Sequence, residues 1–499
     1  MKLEEAFAVI TDVENSCLTD EIKIGKFDAW PLIRLLVWTT LNSPTDGDSR
    51  SIKKIVQYVK QYPIRDLLDY GFDVVFRIIP QFITSRLQSP PPNKHVIFIG
   101  RSSHLQRMGE SERHFDRVLD PIQESLQDYI LTKKYVLGPK STTRTITKTT
   151  RIRVRSSQDY PEIYGLDKSG LLDSLRSTKI DIDNFHKAVK RYANKFWMGY
   201  NIGSNWVRGL DNTQHVFVAS WYGPDMMGLI AAFQEAGVCV TDVQHGFQGS
   251  VHGMYMGWGK SRSEGYLMLP ANFWTWSNSA SSDILDSTSF RMVHQPVVGG
   301  YPWIDYWNRQ QLNKMPQEIQ VKTSTFRIRL LVILRPPDSP DTERIPDFLL
   351  DFLRRENPDV IVNFRTHPND RDGFKYMKNR LGGAFATKFY ITSHKIDLYN
   401  ELQRSTHLIS PYSSVCLEAS FFALPVLTYG EDSLSVFSNQ IQSGELAWTL
   451  GNNDDIENFI NDTSFVQKQP APYITSSVQF AQSVAVSLIA KKLSKDQLS

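Results

Sequence analysis

The run Val360-Ile361-Val362-Asn363-Phe364, continued by Arg365-Thr366-His367-Pro368-Asn369, decides the reading of this chain. Its first half has the composition of a buried strand, and its second half begins where such a strand hands over to a loop. The same transition recurs at Leu408-Ile409, which leads into Pro411-Tyr412-Ser413-Ser414 and then a helical stretch over 415–423. Open parallel α/β sheets bind ligands at the carboxyl ends of their strands, so both loops are placed on one ligand-binding edge. A helix that starts directly behind two serines turns free N–H groups and its positive dipole end toward the loop, which favours a phosphate. Pro368 pushes the backbone of His367 toward extended geometry, which fixes an imidazole able to hold a phosphate or a base edge. Each motif alone also reads as ordinary turn or capping chemistry. On successive strand ends of one sheet, the two together point to a nucleotide site.

Around that stretch strands and helices alternate: strands over 328–334, 359–364, 388–391, 407–410 and 426–429, and helices over 345–355, 373–380, 395–403 and 415–423. This is the pattern of a parallel sheet covered by helices. A second α/β unit opens earlier with His95-Val96-Ile97-Phe98-Ile99-Gly100 and the loop Arg101-Ser102-Ser103-His104. It continues through strands over 215–220 and 238–241, a helix over 225–236, the loop Gln244-His245-Gly246-Phe247-Gln248-Gly249, and short strands over 266–269, 273–276 and 296–300. The stretch 138–204 carries no assignable pattern. Upstream, helical spacing over 52–62 and 64–87 ends at Ser89-Pro90-Pro91-Pro92, and 30–38 reads as a short apolar helix with proline in its first turn. The expected architecture is α/β: two Rossmann-like α/β domains facing a cleft, with an N-terminal helical extension. Its expected divisions are a helical region over 1–92, one α/β domain over 93–310, a second over 311–475 that carries the nucleotide edge, and a C-terminal helix over 476–499 that packs back.

Composition bounds the function. A chain of 499 residues exceeds what one core accommodates. Its 41% hydrophobic and 22% charged residues are those of a soluble globular protein. With 56 basic and 53 acidic residues, bulk charge does not suggest nucleic-acid binding. One local patch, KSTTRTITKTTRIRVR over 140–155, reads as a solvated edge strand or loop, with contact to an anionic glycan or lipid as the alternative. The cysteines, Cys17, Cys239 and Cys416, are far apart and lack zinc spacing, which suits a reducing compartment. No apolar run approaches the ~18 residues that span a bilayer, and the N-terminus carries no signal-peptide pattern. A cytoplasmic protein is expected, with any membrane contact peripheral.

Missing motifs narrow the field further. No GxGxxG follows a strand, and GMYMGWGKS over 253–261 ends like a phosphate-binding loop but is misspaced. Asp181-Ile182-Asp183 and Asp370-Arg371-Asp372 mimic metal-binding pairs without further ligands nearby, so no metal is expected.

The pair His367-Pro368 and Ser413-Ser414 is similar to the His-Pro and Ser-Ser motifs with which bacterial GT-B transferases of CMP-activated sugars hold cytidine monophosphate. Gln244-His245-Gly246, Trp30-Pro31-Leu32-Ile33-Arg34 and Phe115-Asp116-Arg117-Val118-Leu119-Asp120-Pro121 resemble segments of bacterial capsule and O-antigen transferases. Most similar are the retaining β-Kdo transferases, which use CMP-Kdo. The resemblance implies a GT-B-like form, with 93–310 as the acceptor-side domain, 311–475 as the donor-binding domain, and a carboxylate nucleophile on the acceptor-side domain. Asp225, at the strand-to-helix turn after Trp221-Tyr222-Gly223-Pro224, matches best, with helix capping as its alternative role. His245 would serve as acid or base or bind a sugar carboxylate, while Gln244 and Gly246 would contact the sugar. Donor-side residues would be Arg335, Arg365, His367, Pro368, Asn369, Ser413, Ser414 and Glu418. The implied partners are a CMP-activated sugar and a glycan or lipid-linked acceptor, with no cofactor, and any contact with the inner membrane or with other polysaccharide-assembly enzymes would be peripheral. Two other classes stay open: a CDP-glycerol or CDP-ribitol phosphotransferase, and a noncatalytic nucleotide- or glycan-binding subunit.

Overall fold

The structure is a computed structural model that describes residues 3–42, 96–101, 104–107, 114–126, 132–137, 150–152, 161–178, 180–208, 215–258, 264–286, 293–309, 326–335, 343–355, 357–367, 370, 372–382, 389–392, 397–462 and 485. These fall into two compact units. Unit 1 holds the described residues up to His245, then 253–302 and Ala485; unit 2 holds 246–252 and those from Trp303 to Asp462.

Unit 1 is built on seven strands: β1 (Val96–Arg101), β2 (Thr132–Leu137), β3 (Thr150–Ile152), β4 (His215–Ala219), β5 (Cys239–Val243), β6 (Asn272–Thr275) and β7 (Gln295–Val298). They lie in the order β7-β6-β5-β4-β1-β2-β3, every pair parallel. The runs Val96-Ile97-Phe98-Ile99 and His215-Val216-Phe217-Val218-Ala219 are buried throughout, as strands covered on both faces must be. The described end of the basic 140–155 patch is β3, an edge strand. Residues 266–269, apolar enough to read as a strand, instead form a turn closed by Leu269 N–H donating to Tyr266 O at 3.0 Å. Gly265 enters this turn with φ +68°.

Helices α1 (Leu3–Ser16) and α2 (Trp30–Asn42) belong to this unit's core, sharing one apolar cluster with Val216 of β4. The reason is visible in α2, where Trp30 through Val37 are all buried, Arg34 included. A helix apolar on every side needs cover on every side. Arg34 is ion-paired with Glu14, donates to Gly253 O at 2.6 Å and Met256 O at 2.5 Å, and stacks on Trp258 at 4.3 Å. Thus the described part of the misspaced 253–261 loop is a buried strut. The helices expected over 52–62 and 64–87 lie outside the described residues, as does the C-terminal helix apart from Ala485, which sits in unit 1's second apolar cluster.

The unassigned stretch contains α3 (Ile182–Val207), which crosses α4 (Pro224–Glu235) through glycines. A Cβ on Gly199 would overlap Asp225 O, one on Gly203 would come to 2.7 Å of Ala232 Cβ, and one on Gly228 to 2.6 Å of Tyr200 N. Asp181 caps α3, accepting from Asp183 N–H at 3.0 Å and Asn184 N–H at 3.2 Å, which accounts for the first acid pair.

Unit 2 carries β8 (Ile328–Ile333), α5 (Asp347–Arg354), β9 (Val360–Arg365), α6 (Gly373–Leu381), β10 (Phe389–Thr392), α7 (Leu398–Arg404), β11 (His407–Ser410), α8 (Ser414–Ser420), β12 (Val426–Tyr429) and β13 (Ala447–Thr449). The sheet order is β10-β9-β8-β11-β12-β13, again all parallel. Trp303 and Trp307, in the helix Pro302–Arg309, pack on Tyr399, and this part of unit 2 begins at Trp303, upstream of the division expected at 310. Among the described residues, no helix is long and apolar enough to cross a membrane.

Candidate functional site

Both sheets have the same internal logic. In chain order unit 1 reads 7-6-5-4-1-2-3, and the first six strands of unit 2 read likewise 3-2-1-4-5-6, so each sheet reverses direction between its first and fourth strands. The loops leaving those two strands diverge, and the crevice outside their carboxyl ends is where such sheets bind ligands.

In unit 1 the switch lies between β1 and β4. Arg101 is the last residue of β1, and Ser220 follows β4 directly. Ser220 adopts φ +60°, a left-handed backbone that non-glycine residues rarely hold, and such strain gathers at functional sites. The bend turns its Oγ between two imidazoles, 3.3 Å from His104 Nε2 and 3.0 Å from His245 Nε2. Tyr222 Oη stands 2.9 Å from the same His245 nitrogen. Burial, with help from the cations Arg101, Arg117 and Lys134, lowers the His104 pKa to about 4, and burial raises that of Tyr222. Both are therefore neutral near pH 7.

Asp225 sits in the first turn of α4, behind the N-cap Gly223 and Pro224. Its Oδ1 accepts from Arg101 Nη2 at 3.2 Å and from Met226 N–H at 2.9 Å. Arg101 also donates through Nε to Ser220 O at 3.3 Å. Asp225 is thus not the N-cap, though its Oδ1 takes one free N–H of the helix's first turn; its carboxylate is held through one oxygen, and Oδ2 has no partner among the described residues. Beneath the site, Asp242 of β5 accepts from Trp221 N–H at 3.1 Å and Tyr255 Oη at 2.8 Å, and burial raises its pKa to about 8.

Gln244 is buried with its amide oxygen accepting Trp276 N–H at 2.7 Å, so it joins the ends of β5 and β6. Space over Gly246 is open: an added Cβ would meet nothing within 4 Å.

In unit 2 the switch lies between β8 and β11. Arg335 follows β8, and Ser413 and Ser414 follow β11. The His367 loop leaves β9, one strand further out, so β8 separates the two motifs and their strand ends stand about 10 Å apart. Ser413 caps α8, accepting Val415 N–H at 3.4 Å. Ser414 donates to Glu418 Oε1 at 3.2 Å, while Tyr399 Oη takes the other Glu418 oxygen. Arg365 is ion-paired with Glu401, which also accepts from Asn363 Nδ2 at 3.1 Å. Glu418 and Arg365 therefore brace the loops from below.

His367 opens a turn closed by Asp370 N–H donating to His367 O at 2.8 Å. The Arg344 fork holds Asp370 at 2.7 and 3.2 Å, which accounts for the second acid pair. Burial lowers the His367 pKa, opposed by Asp370. Pro368 and Asn369 lie outside the described residues. Among the described residues no cluster of His, Cys, Asp or Glu has the geometry to hold a metal.

Sequence reading passed over Arg101, His104, Ser220 and Gly199 as site-forming residues. The available signals were the G-x-x-x-G spacing of Gly199 and Gly203, which marks close helix contact, and the cationic end of the first strand.

No family model and no curated protein matches the sequence. Among solved structures, the chain is similar to UDP-GlcNAc 2-epimerase from Neisseria meningitidis bound to UDP-GlcNAc, with a TM-score of 0.51 and 11% identity over 79% of this chain and 99% of that one. It is also similar to another UDP-N-acetylglucosamine 2-epimerase, with a TM-score of 0.51 and 12% identity over 80% and 95%. The fold is GT-B. At such identity the likeness extends to the fold and no further.

Proposed function

We propose that this chain is a metal-independent glycosyltransferase that moves a sugar, Kdo or a related 2-ulosonic acid, from a CMP-activated donor to a surface polysaccharide or lipid-linked glycan. The observation that carries the reading is Asp225 at the switch point of unit 1, fixed through Oδ1 with Oδ2 left over among the described residues. A carboxylate held by one oxygen is prepared to attack with the other. In a double displacement, Oδ2 bonds to the anomeric carbon as the bond to CMP breaks and its electron pair leaves with the phosphate. The acceptor hydroxyl then displaces Asp225 with retained configuration, its proton passing to His245. In unit 2 the nucleotide is assigned to Ser413, Ser414, His367 and Arg335, with Pro368 and Asn369 completing the His367 loop and Arg365 and Glu418 supporting it. The UDP-GlcNAc complex of a fold neighbour supports a sugar-nucleotide donor.

That same neighbour favours a second reading, an enzyme acting on UDP-sugars. Calorimetric titration separates the two. CMP is expected to bind, and His367→Ala and Ser413→Ala each to weaken it by roughly 1.5 to 3 kcal/mol, about tenfold to more than a hundredfold. Binding of UDP with no binding of CMP would overturn the donor assignment, and unchanged CMP affinity in both variants would overturn the site.

A further inference from the structure

Arg101 carries five N–H donors, and the structure accounts for two: Nε on Ser220 O and one Nη2 hydrogen on Asp225 Oδ1. The Nη1 group and the second Nη2 hydrogen have no partner among the described residues, and the side chain is 23% exposed. Among the described residues the guanidinium therefore presents an uncommitted pair of parallel donors beside a carboxylate oxygen that is likewise uncommitted. Gly223 is what lets it stand there, since a Cβ at that position would overlap Arg101 Nη2 and come to 3.0 Å of Asp225 Oδ1.

We infer that Arg101 is the specificity-determining residue for a donor whose anomeric carbon bears a carboxylate. The inference rests on the donor reading above and deepens it. In a 2-ulosonic acid the carboxylate is bonded directly to the anomeric carbon. An Asp225 oxygen at attacking distance, about 3 to 3.5 Å from that carbon, necessarily has the sugar carboxylate as its neighbour. Two anions brought together at a partly desolvated site repel, which works against the attack. A guanidinium that already holds one carboxylate by one edge and offers parallel donors on the other bridges the pair, in the geometry where arginine surpasses lysine. An aldose donor, with only hydrogen on its anomeric carbon, has no group for those donors.

The test is calorimetric titration of wild-type protein, Arg101→Met, Arg101→Lys and Gly223→Ala with CMP and with CMP-Kdo, with melting curves alongside. Arg101→Met is expected to bind CMP as wild type does and to lose about tenfold to a hundredfold for CMP-Kdo, with Arg101→Lys in between. Gly223→Ala, which leaves the guanidinium in the protein but displaces it, is expected to show the same selective loss, so the outcome does not hang on one variant's folding. Arg101→Met and Gly223→Ala that keep wild-type affinity for CMP-Kdo, or that weaken CMP and CMP-Kdo equally, would overturn the assignment of Arg101 alone. A wild-type protein that binds neither ligand would overturn the donor reading and this assignment with it.

Discussion

Gly199 of α3 lies against the backbone of Asp225: a Cβ on the glycine would overlap the Asp225 carbonyl oxygen and stand 2.8 Å from its carbonyl carbon. The helix that carries the candidate nucleophile is thus seated on a glycine seam. Gly199→Ala is expected to push α4 outward, at a cost of about 1 to 3 kcal/mol from overpacking. Because misplacing a reacting group by about 1 Å can cost a hundredfold in rate, donor turnover should fall further than stability does. Urea unfolding and turnover measured on the same preparation check this, and a Gly199→Ala protein with wild-type turnover would show that α4 is not positioned by the seam.

Ser220 holds φ +60° with its hydroxyl between His104 and His245. A non-glycine residue in this conformation costs about 1 to 2 kcal/mol. Both Ser220→Ala and Ser220→Gly remove the hydroxyl and should lose turnover alike, but only glycine relieves the backbone. The glycine variant should be the more stable of the two by about 1 kcal/mol in denaturant titration. Equal stability would mean that the bend stores no strain.

The alternation of buried strands and helices was legible because strands covered on both faces read as apolar runs, as Val360-Ile361-Val362 and Val96-Ile97-Phe98-Ile99 do. Asp225 and His245 were legible as polar residues at strand ends. That they meet with Arg101 and His104 was not, because the meeting depends on β1 lying beside β4, an order no local pattern encodes. α3 was missed although its buried face, from Phe185 through Ala188, Val189, Ala193 and Phe196 to Ile202, keeps helical spacing, because the charged and polar residues between them and the two glycines mask the stripe. Arg365 and Glu418 looked available for a ligand because their partners, Glu401 and Tyr399, are distant in sequence.

Arg34 and Glu14 form an ion pair buried from solvent, with the remaining guanidinium donors on two backbone carbonyls. Removing one partner strands the other charge in the core, at a cost of about 3 to 5 kcal/mol. Arg34→Met and Glu14→Leu should each be strongly destabilised in urea titration. The double variant Arg34→Met/Glu14→Leu should lose less than the sum, since no lone charge remains. Simple additivity would show that the two residues act independently.

Burial lifts the Asp242 carboxyl from an ordinary value near 3.8 to about 8. Between these values the native state keeps a proton that the unfolded chain releases, so the native state binds more protons and stability falls as pH rises through this window. Above about pH 8 the carboxyl is ionised in both states and its contribution levels off. Asp242→Asn, neutral at every pH, should match wild type near pH 4 and exceed it by about a few kcal/mol near pH 8. Unfolding free energies measured at both pH values check the sign. A variant less stable than wild type at pH 8 would mean that the ionised carboxylate is the native form.

Asp225→Asn is the sharpest test of the mechanism. The asparagine carbonyl oxygen can keep both bonds now made by Oδ1, from Arg101 Nη2 and from Met226 N–H, while the uncommitted Oδ2 becomes an amide nitrogen with no nucleophilic lone pair. CMP affinity and melting temperature should therefore stay near wild type while turnover collapses. Asp225→Ala gives up both bonds and leaves Arg101 without its anion, a further loss of about 1 kcal/mol for a partly exposed pair. Intact-mass spectrometry of wild-type protein mixed with CMP-Kdo should show one added sugar on the peptide containing Asp225, and none in the asparagine variant. Substantial turnover by a folded Asp225→Asn protein would remove the nucleophile from this carboxylate. An adduct that persists in the variant would place the nucleophile on another residue.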